Sequence, residues 1–236
     1  MPDMSKTEIP QGRERRKDIA LGAALATEKL IQSVEGSIPG VRESKGWRDG
    51  FAEAVGELCI DNEAHANIDA LTQIPNRRAL YIRLDEEVKR ANRFNHPLAV
   101  VMMDIDGFKK VNDGWGHKTG DVVLQKTAKL LEADIRASDY VGRYGGDEFV
   151  IILPETERDK IIKQTERLRE KIEQNFKEYD LSACFGLAVL GENCESSDAI
   201  MQAADEAMYF VKNNGKNGVG FRDSKGQMEI LKQKVE

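Results

Sequence analysis

The chain is poor in the residues that lock a fold by covalent or metal chemistry. It has three cysteines in 236 residues, Cys59, Cys184 and Cys194, an odd set without C-x-x-C spacing. That argues against both a disulfide framework and a structural zinc site, and the three read as thiols in a reducing compartment. Long apolar runs are missing as well. The longest near the start, Ile19 to Ala26, is far too short to cross a bilayer, and nothing before Asp18 has the shape of a signal peptide. The expectation is a cytoplasmic chain with no membrane span. Positive charge is not in surplus: 35 Lys and Arg stand against 41 Asp and Glu, a formal net charge of -6. This disfavours a nucleic-acid binder held by surplus charge, so phosphate chemistry has to be local. No internal repeat or low-complexity stretch appears.

What is present suits one globular domain with an extension, since hydrophobic residues make up 40% of the chain. Ile19, Ala23, Ala26, Leu30 and Val34 recur at helical spacing up to the breaker Gly36-Ser-Ile-Pro-Gly40, and Trp47, Phe51, Val55 and Leu58 form a second stripe. Residues 1–66 thus read as an N-terminal α-helical extension. Its stripes must pack on each other, on the domain or on a second copy of the chain, which suggests dimerisation or regulation. A helix starting at Pro75 carries Leu80, Leu84 and Val88 and stops before Asn95-His-Pro97. Leu98 to Met103 is an apolar run of strand length that ends in Asp104 and Asp106.

A helix over Thr119 to Ile135 follows, and then two strands, Tyr140 to Tyr144 and Glu148 to Leu153, flank Gly145-Gly146 as a β-hairpin. Ile161, Thr165, Leu168, Ile172 and Phe176 share one helical face. A strand over Leu181 to Val189, a helix over Ser197 to Asn213 and a short strand over Val219 to Phe221 complete the pattern. The order predicts an α+β domain over residues 67–222, with a central, mainly antiparallel sheet flanked by helices and a polar tail over 223–236.

The most informative segment is Arg143-Tyr-Gly-Gly-Asp-Glu-Phe149. Two glycines can take positive φ at a tight turn and let a ligand approach the backbone, while adjacent acids repel unless a cation or solvent compensates them. A divalent ion with oxygen ligands is one compensation; a solvated hairpin is the plain alternative. Were the first strand to neighbour this hairpin, Asp104, Asp147 and Glu148 would converge, as paired Mg²⁺ ions on a polyphosphate require. Taken alone, Asp104 and Asp106 read equally well as strand-end caps.

Four motifs in register carry a family resemblance: Asp69-Ala-Leu-Thr-Gln-Ile-Pro-Asn-Arg77, Asp104-Ile-Asp-Gly-Phe-Lys-Lys-Val-Asn112-Asp, Gly116-His-Lys-Thr-Gly-Asp121 and Gly145-Gly-Asp-Glu-Phe149. In order and spacing, from about Asp69 to Phe221, the chain resembles the GGDEF diguanylate cyclases. The resemblance implies a palm-like domain, similar to those of polymerases and class III nucleotide cyclases, that condenses two GTP into cyclic di-GMP. By it Asp104, the Ile105 carbonyl, Asp147 and Glu148 are metal ligands for Mg²⁺ (or Mn²⁺), two per active half-site, and Asp147 or Glu148 assists deprotonation of the 3′-hydroxyl. The loop at Phe108 and Lys109 offers backbone amides to the β- and γ-phosphates, with Gly145 and Gly146 at the substrate.

Asn112 and Asp121 match the family's guanine readers, and a carboxylate can accept both donors on guanine's edge, which favours GTP over ATP. Helix capping is the alternative for each. Lys212 and Lys216, four apart at the end of the last helix, could reach one triphosphate, although lysines also simply suit a helix C-terminus. Lys216 departs from the family's usual arginine, replacing a bidentate fork by a point charge.

Arg136-Ala-Ser-Asp139, five residues before Gly145, matches the RxxD site of product inhibition; a surface ion pair is its alternative. His117 reads as structural, His65 and His96 as solvent-facing, and Trp115 as a loop residue near the nucleotide cleft. A two-fold symmetric product made from one GTP per domain implies a homodimer. A non-catalytic cyclic di-GMP receptor and a cyclase for another dinucleotide are the rival readings.

Overall fold

A computed structural model of the chain describes residues 66–191, 194–223 and 225–231, besides the single positions Gln32 and Gly46. The two expected N-terminal helices, with Trp47, Cys59 and His65, lie outside the described residues. The compact unit that begins at Asn67 has the element order α1 (Arg77–Phe94), β1 (Leu98–Asp106), α2 (Phe108–Trp115), α3 (His117–Asp134), β2 (Tyr140–Gly145), β3 (Glu148–Pro154), α4 (Arg158–Asn175), β4 (Ser182–Val189), α5 (Ser197–Asn213), β5 (Gly218–Arg222) and β6 (Met228–Leu231). One 3₁₀ turn, Lys177–Tyr179, separates α4 from β4.

The six strands form one sheet in the order β2-β3-β1-β4-β5-β6. Every neighbouring pair is antiparallel except β4 and β5, whose parallel pairing is made possible by the α5 crossover. The sheet is therefore the mainly antiparallel one expected of an α+β domain. β1 is central and buried along all nine residues, which explains why it reads as an unbroken apolar run rather than an alternating one.

Side chains still alternate between its two faces. Ala99, Val101, Met103 and Ile105 join the core beneath α3 and α4, whereas Leu98, Val100 and Met102 join the core beneath α1 and α5. By the same period, Asp104 and Asp106 fall on the α1 and α5 side, where the apolar layer gives out at the end of the strand. Phe149, the last residue of the glycine-turn motif, is fully buried in the opposite core. It is a packing residue, and Phe149→Ala is expected to cost about 3–5 kcal/mol.

Four local expectations need correction. The first helix begins at Arg77, because the Asn76 side chain accepts from the Ala79 amide at 3.1 Å and caps it; Pro75 stands before the cap. The segment at Phe108 and Lys109 is the first turn of a helix rather than a loop, entered through Gly107 at φ 83°. Trp115 closes that helix and meets the Tyr179 ring edge-on, centroids 5.5 Å apart. Finally, residues 223–236 carry a strand: β6 pairs with β5 from Val219–Leu231 to Arg222–Met228. The Asp223 carboxylate makes that hairpin by accepting from the amides of Lys225 and Gln227, an Asx turn easily read as a polar tail.

Candidate nucleotide and metal site

The sheet brings two of the motifs together through its register. Asp104 of β1 lies opposite Glu148 of β3, and the Ile105 amide donates to the Asp147 carbonyl at 3.4 Å. The strand end and the glycine turn are thus neighbours, as the paired-strand expectation required. Gly146 takes φ 52°, and a side chain at either Gly145 or Gly146 would meet nothing. The space over the turn is open to a ligand.

Sequence reasoning missed what holds this turn in place. Arg143 donates from Nε and Nη2 to the Gly146 carbonyl, at 3.0 and 2.7 Å, and from Nη1 to Asp69 at 3.0 Å. Asp69 also accepts from the amide and hydroxyl of Thr72. Burial alone would raise the Asp69 carboxyl, but the Thr72 and Arg143 hydrogen bonds outweigh it and hold the group below its ordinary value. The Asp69-Ala-Leu-Thr72 segment is therefore a brace for the hairpin. Conjunction of an Asp-x-x-Thr turn with an arginine two residues before the glycine pair was the signal available.

Asp104 is 8% exposed and its carboxyl is pushed up to about 6. Burial is the main cause; Asp147 and Glu148 push the same way, while the hydrogen bond from Lys212 opposes them. Lys212 Nζ stands 2.7 Å from Asp104 Oδ2. Burial would lower the lysine, yet the Asp104 contact and the neighbouring acids raise it. Glu148 is raised as well, by burial first, with Asp147 and Asp205 of α5 adding to it against the pull of Lys212.

Three carboxylates thus share one ammonium. Among the described residues, however, no three His, Cys, Asp or Glu side chains are grouped as the ligands of one ion. The donor set nonetheless fits a hard divalent cation: all oxygen, with Asp104 buried and Asp147 and Glu148 half-buried, and acids that outnumber the cations Lys212 and Arg77 acting on them.

Asn112 sits in the middle of α2 and Asp121 on the second turn of α3, while the N-cap positions of those helices are Gly107 and Gly116. Capping by either side chain is excluded. The two helices close so tightly that a Cβ on Gly120 would lie 2.0 Å from Asn112 Oδ1. Phe108 is half-buried against the core and Lys109 is exposed. Their position in a first helical turn leaves backbone amides without intrahelical partners.

Lys216 does not share a helical face with Lys212: α5 ends at Asn213, and Lys216 is exposed in a left-handed turn at φ 58°. Arg136 is exposed, but Asp139 is buried, and its carboxylate accepts from the Arg136 amide at 2.9 Å. The pair is no surface ion pair. Arg136 borders an open cavity of about 590 Å³ that Lys160, Lys163, Arg167 and Lys171 also line.

Fold and site together define a palm-like α+β domain with an acidic centre, anchored on the buried Asp104, at a glycine hairpin. The family model "Diguanylate cyclase, GGDEF domain" matches residues 66–218, and the chain belongs to that GGDEF family. It is 39% identical over 158 residues to the diguanylate cyclase DosC of Escherichia coli (strain K12), covering 64% of this chain and 34% of DosC. The chain accordingly spans about a quarter to a third of the length of the curated relatives it matches.

The coiled coil and GGDEF domain of DgcB from Caulobacter crescentus, solved in complex with c-di-GMP, superposes with a TM-score of 0.67 at 27% identity, covering 73% of this chain and 94% of that one. The diguanylate cyclase SiaD of Pseudomonas aeruginosa, solved with its activator SiaC, gives 0.59 at 28% identity over 89% and 79%. No described helix is long and apolar enough to cross a membrane.

Proposed function

We propose that the chain is a diguanylate cyclase: two GTP are joined into cyclic di-GMP with release of two pyrophosphates. The observation that carries this reading is the buried Asp104 opposite Glu148, with Asp147 on the open glycine turn beside them and Lys212 against Asp104. Asp104, the Ile105 carbonyl, Asp147 and Glu148 would hold Mg²⁺ or Mn²⁺, two per half-site. Bound there, the ions would neutralise triphosphate charge and lower the barrier to attack at the α-phosphorus.

Asn112 and Asp121 receive the guanine edge, a role favoured by their freedom from capping duty. The first amides of α2, at Phe108 and Lys109, meet the terminal phosphates, and Lys212 and Lys216 supply the matching cations. Asp147 or Glu148 takes the proton of the 3′-hydroxyl. The 3′-oxygen then bonds to the α-phosphorus of the other nucleotide as the bond to the pyrophosphate oxygen breaks, and the step is repeated in the opposite sense.

One domain presents one such set of groups, so the reaction requires an antiparallel homodimer, with residues 1–66 as the element that forms or controls it. The DgcB fragment, with its coiled coil and bound c-di-GMP, supports both the helical dimeriser and product binding. Arg136 and the cationic cavity beside it support product inhibition. Asp139 would act there by fixing the Arg136 turn.

A non-catalytic receptor is disfavoured because Asp104, Asp147 and Glu148 are all retained, and Asp121 argues against an adenine-containing product. The test is to incubate the purified chain with GTP, ATP and Mg²⁺ and to identify products by mass, beside Asp147→Ala. Cyclic di-GMP from wild type alone is expected; bound but unconverted cyclic di-GMP would favour the receptor.

A further inference from the structure

Behind the site lies a buried polar chain that the proposed chemistry does not use. Asp106 is 7% exposed, and its carboxylate accepts from the Ser182 hydroxyl at 2.9 Å, from Cys184 Sγ at 3.1 and 3.2 Å, and from the Asn217 amide at 3.2 Å. Burial and the adjacent Asp106 push the Cys184 thiol up, so it stays protonated and donates. The side chain of Asn217 continues the chain away from the site. Its Oδ1 accepts from Arg169 Nη1 at 2.7 Å and its Nδ2 donates to Glu173 Oε1 at 2.9 Å. Arg169 is fully buried on α4 and also binds Glu166 and Glu173.

Two physical points mark this as more than packing. An arginine taken wholly out of water costs several kcal/mol that its partners must offset, and an apolar side chain of similar volume would serve stability as well. What such a network adds is a fixed geometry. The geometry fixed here is an uncommon one, because Gly215, Lys216 and Asn217 all take positive φ, at 100°, 58° and 44°. Two consecutive non-glycine residues in that region are uncommon, the lysine more so than the asparagine, and persist where their surroundings hold them. Asn217 is held from both sides, by Asp106 on its main chain and by Arg169 and Glu173 on its amide.

We infer that Asp106, Asn217 and Arg169 are positioning residues for the triphosphate: they lock the Gly215–Asn217 turn, and with it Lys216, at the strand end that carries Asp104. The inference rests on the proposed GTP site. Within the Asp104-Ile-Asp106 segment the two acids then divide the work. Asp104 meets Lys212 at the end of α5, and Asp106 meets the main chain five residues further on.

The test is calorimetric titration of the full chain, with Mg²⁺ present, by GMP and by a GTP analogue with a methylene bridge between its α- and β-phosphorus. Asn217→Ala, which loses the amide and strains φ, is expected to weaken the analogue about tenfold. Asn217→Gly keeps φ and the main-chain donor and should weaken it less. Glu173→Gln, at the half-exposed end of the network, keeps one acceptor oxygen and should weaken it two- to threefold, which maintains the test if an Asn217 variant does not fold. GMP binding is expected to change less than twofold in all three. Unchanged analogue affinity in folded variants, equal losses for both ligands, or no binding of the analogue to wild type would each overturn the inference. A wild type that binds the analogue yet makes no cyclic di-GMP from GTP refutes the cyclase and leaves the positioning role to be judged by the same titrations.

Discussion

Two glycine-containing turns meet at the end of β1, and they are held in opposite ways. The β2–β3 turn is braced from its edge: Arg143, half-buried, spans from the Gly146 carbonyl to Asp69. The α5–β5 turn is held from within, by an Arg169 that no solvent reaches. A side chain would find open space at Gly145 or Gly146, whereas one at Gly218, just after the second turn, would press on Ile230 at 3.0 Å. The first turn carries acids and opens on space; the second carries Lys216, exposed, and runs straight into a strand packed against β6. Chemistry that must admit a substrate is expected at the adaptable turn, with the fixed turn as its reference frame.

The largest effects should separate the two. Asp147→Ala at the open turn is expected to lower cyclic di-GMP synthesis by about a thousandfold or more, because it removes one of the carboxylates proposed to hold the divalent cation. Melting temperature should hardly move, since among the described residues the Asp147 side chain is only half-buried and is not part of either core cluster. Arg169→Ala at the fixed turn should do the reverse first: Glu166, Glu173 and Asn217 lose their buried partner, at a cost of about 3–5 kcal/mol in denaturant unfolding. If Asp147→Ala unfolded the protein while Arg169→Ala left it intact, the contrast between the turns would be wrong.

Arg143→Ala lies between them, with an expected loss of about 2 kcal/mol for its charge-assisted bonds to Asp69 and Gly146. Activity should fall further than stability, as the acids of the turn lose their alignment. Denaturation and turnover measured on the same preparation check both halves.

Much of this arrangement was legible in the sequence, and the exceptions have physical causes. Long periodic elements such as Ser197–Asn213 read correctly because burial of one helical face dictates their spacing. The convergence of Asp104 with the glycine turn followed once β1 and β3 were taken as neighbours. Short elements did not read: α2 is eight residues long, with two glycines at its end, and its helicity comes from packing Val111 and Phe108 rather than from propensity. The Arg169 network was invisible for another reason. Its members lie 111 residues apart at the extreme, Asp106 to Asn217, and a charged residue on a helix reads as solvated unless the fold closes over it.

Asp104 stands between the glycine turn and the end of α5, opposite Glu148 and 2.7 Å from Lys212, and its protonation offers a further way to sharpen the comparison. Its carboxyl is raised from 3.8 to about 6, so the folded state holds the proton more tightly than the unfolded one. Stability of the metal-free chain should therefore fall as pH rises from about 4 to about 6 and stay level above, with a total on the order of 3 kcal/mol. Asp104→Asn should flatten that slope in thermal melts. Mg²⁺ should raise the melting temperature at pH 7.5 and much less at pH 5, where it must displace a proton.

The smallest expected effect tests the fixed turn at its exposed residue. Lys216 sits at positive φ on a rigid backbone, and its side chain reaches the solvent. Lys216→Arg leaves the backbone as it is and replaces a point charge by a planar fork able to hold two phosphate oxygens at once. Because the turn is already locked, little of the added affinity is spent on ordering it, and KM for GTP should fall two- to threefold with kcat unchanged. The same substitution on an adaptable turn would trade the new contact against the entropy of holding it. A KM that does not move in Lys216→Arg, measured alongside the fall in analogue affinity expected for Asn217→Ala, would place the turn's contribution in its main chain and not in the lysine.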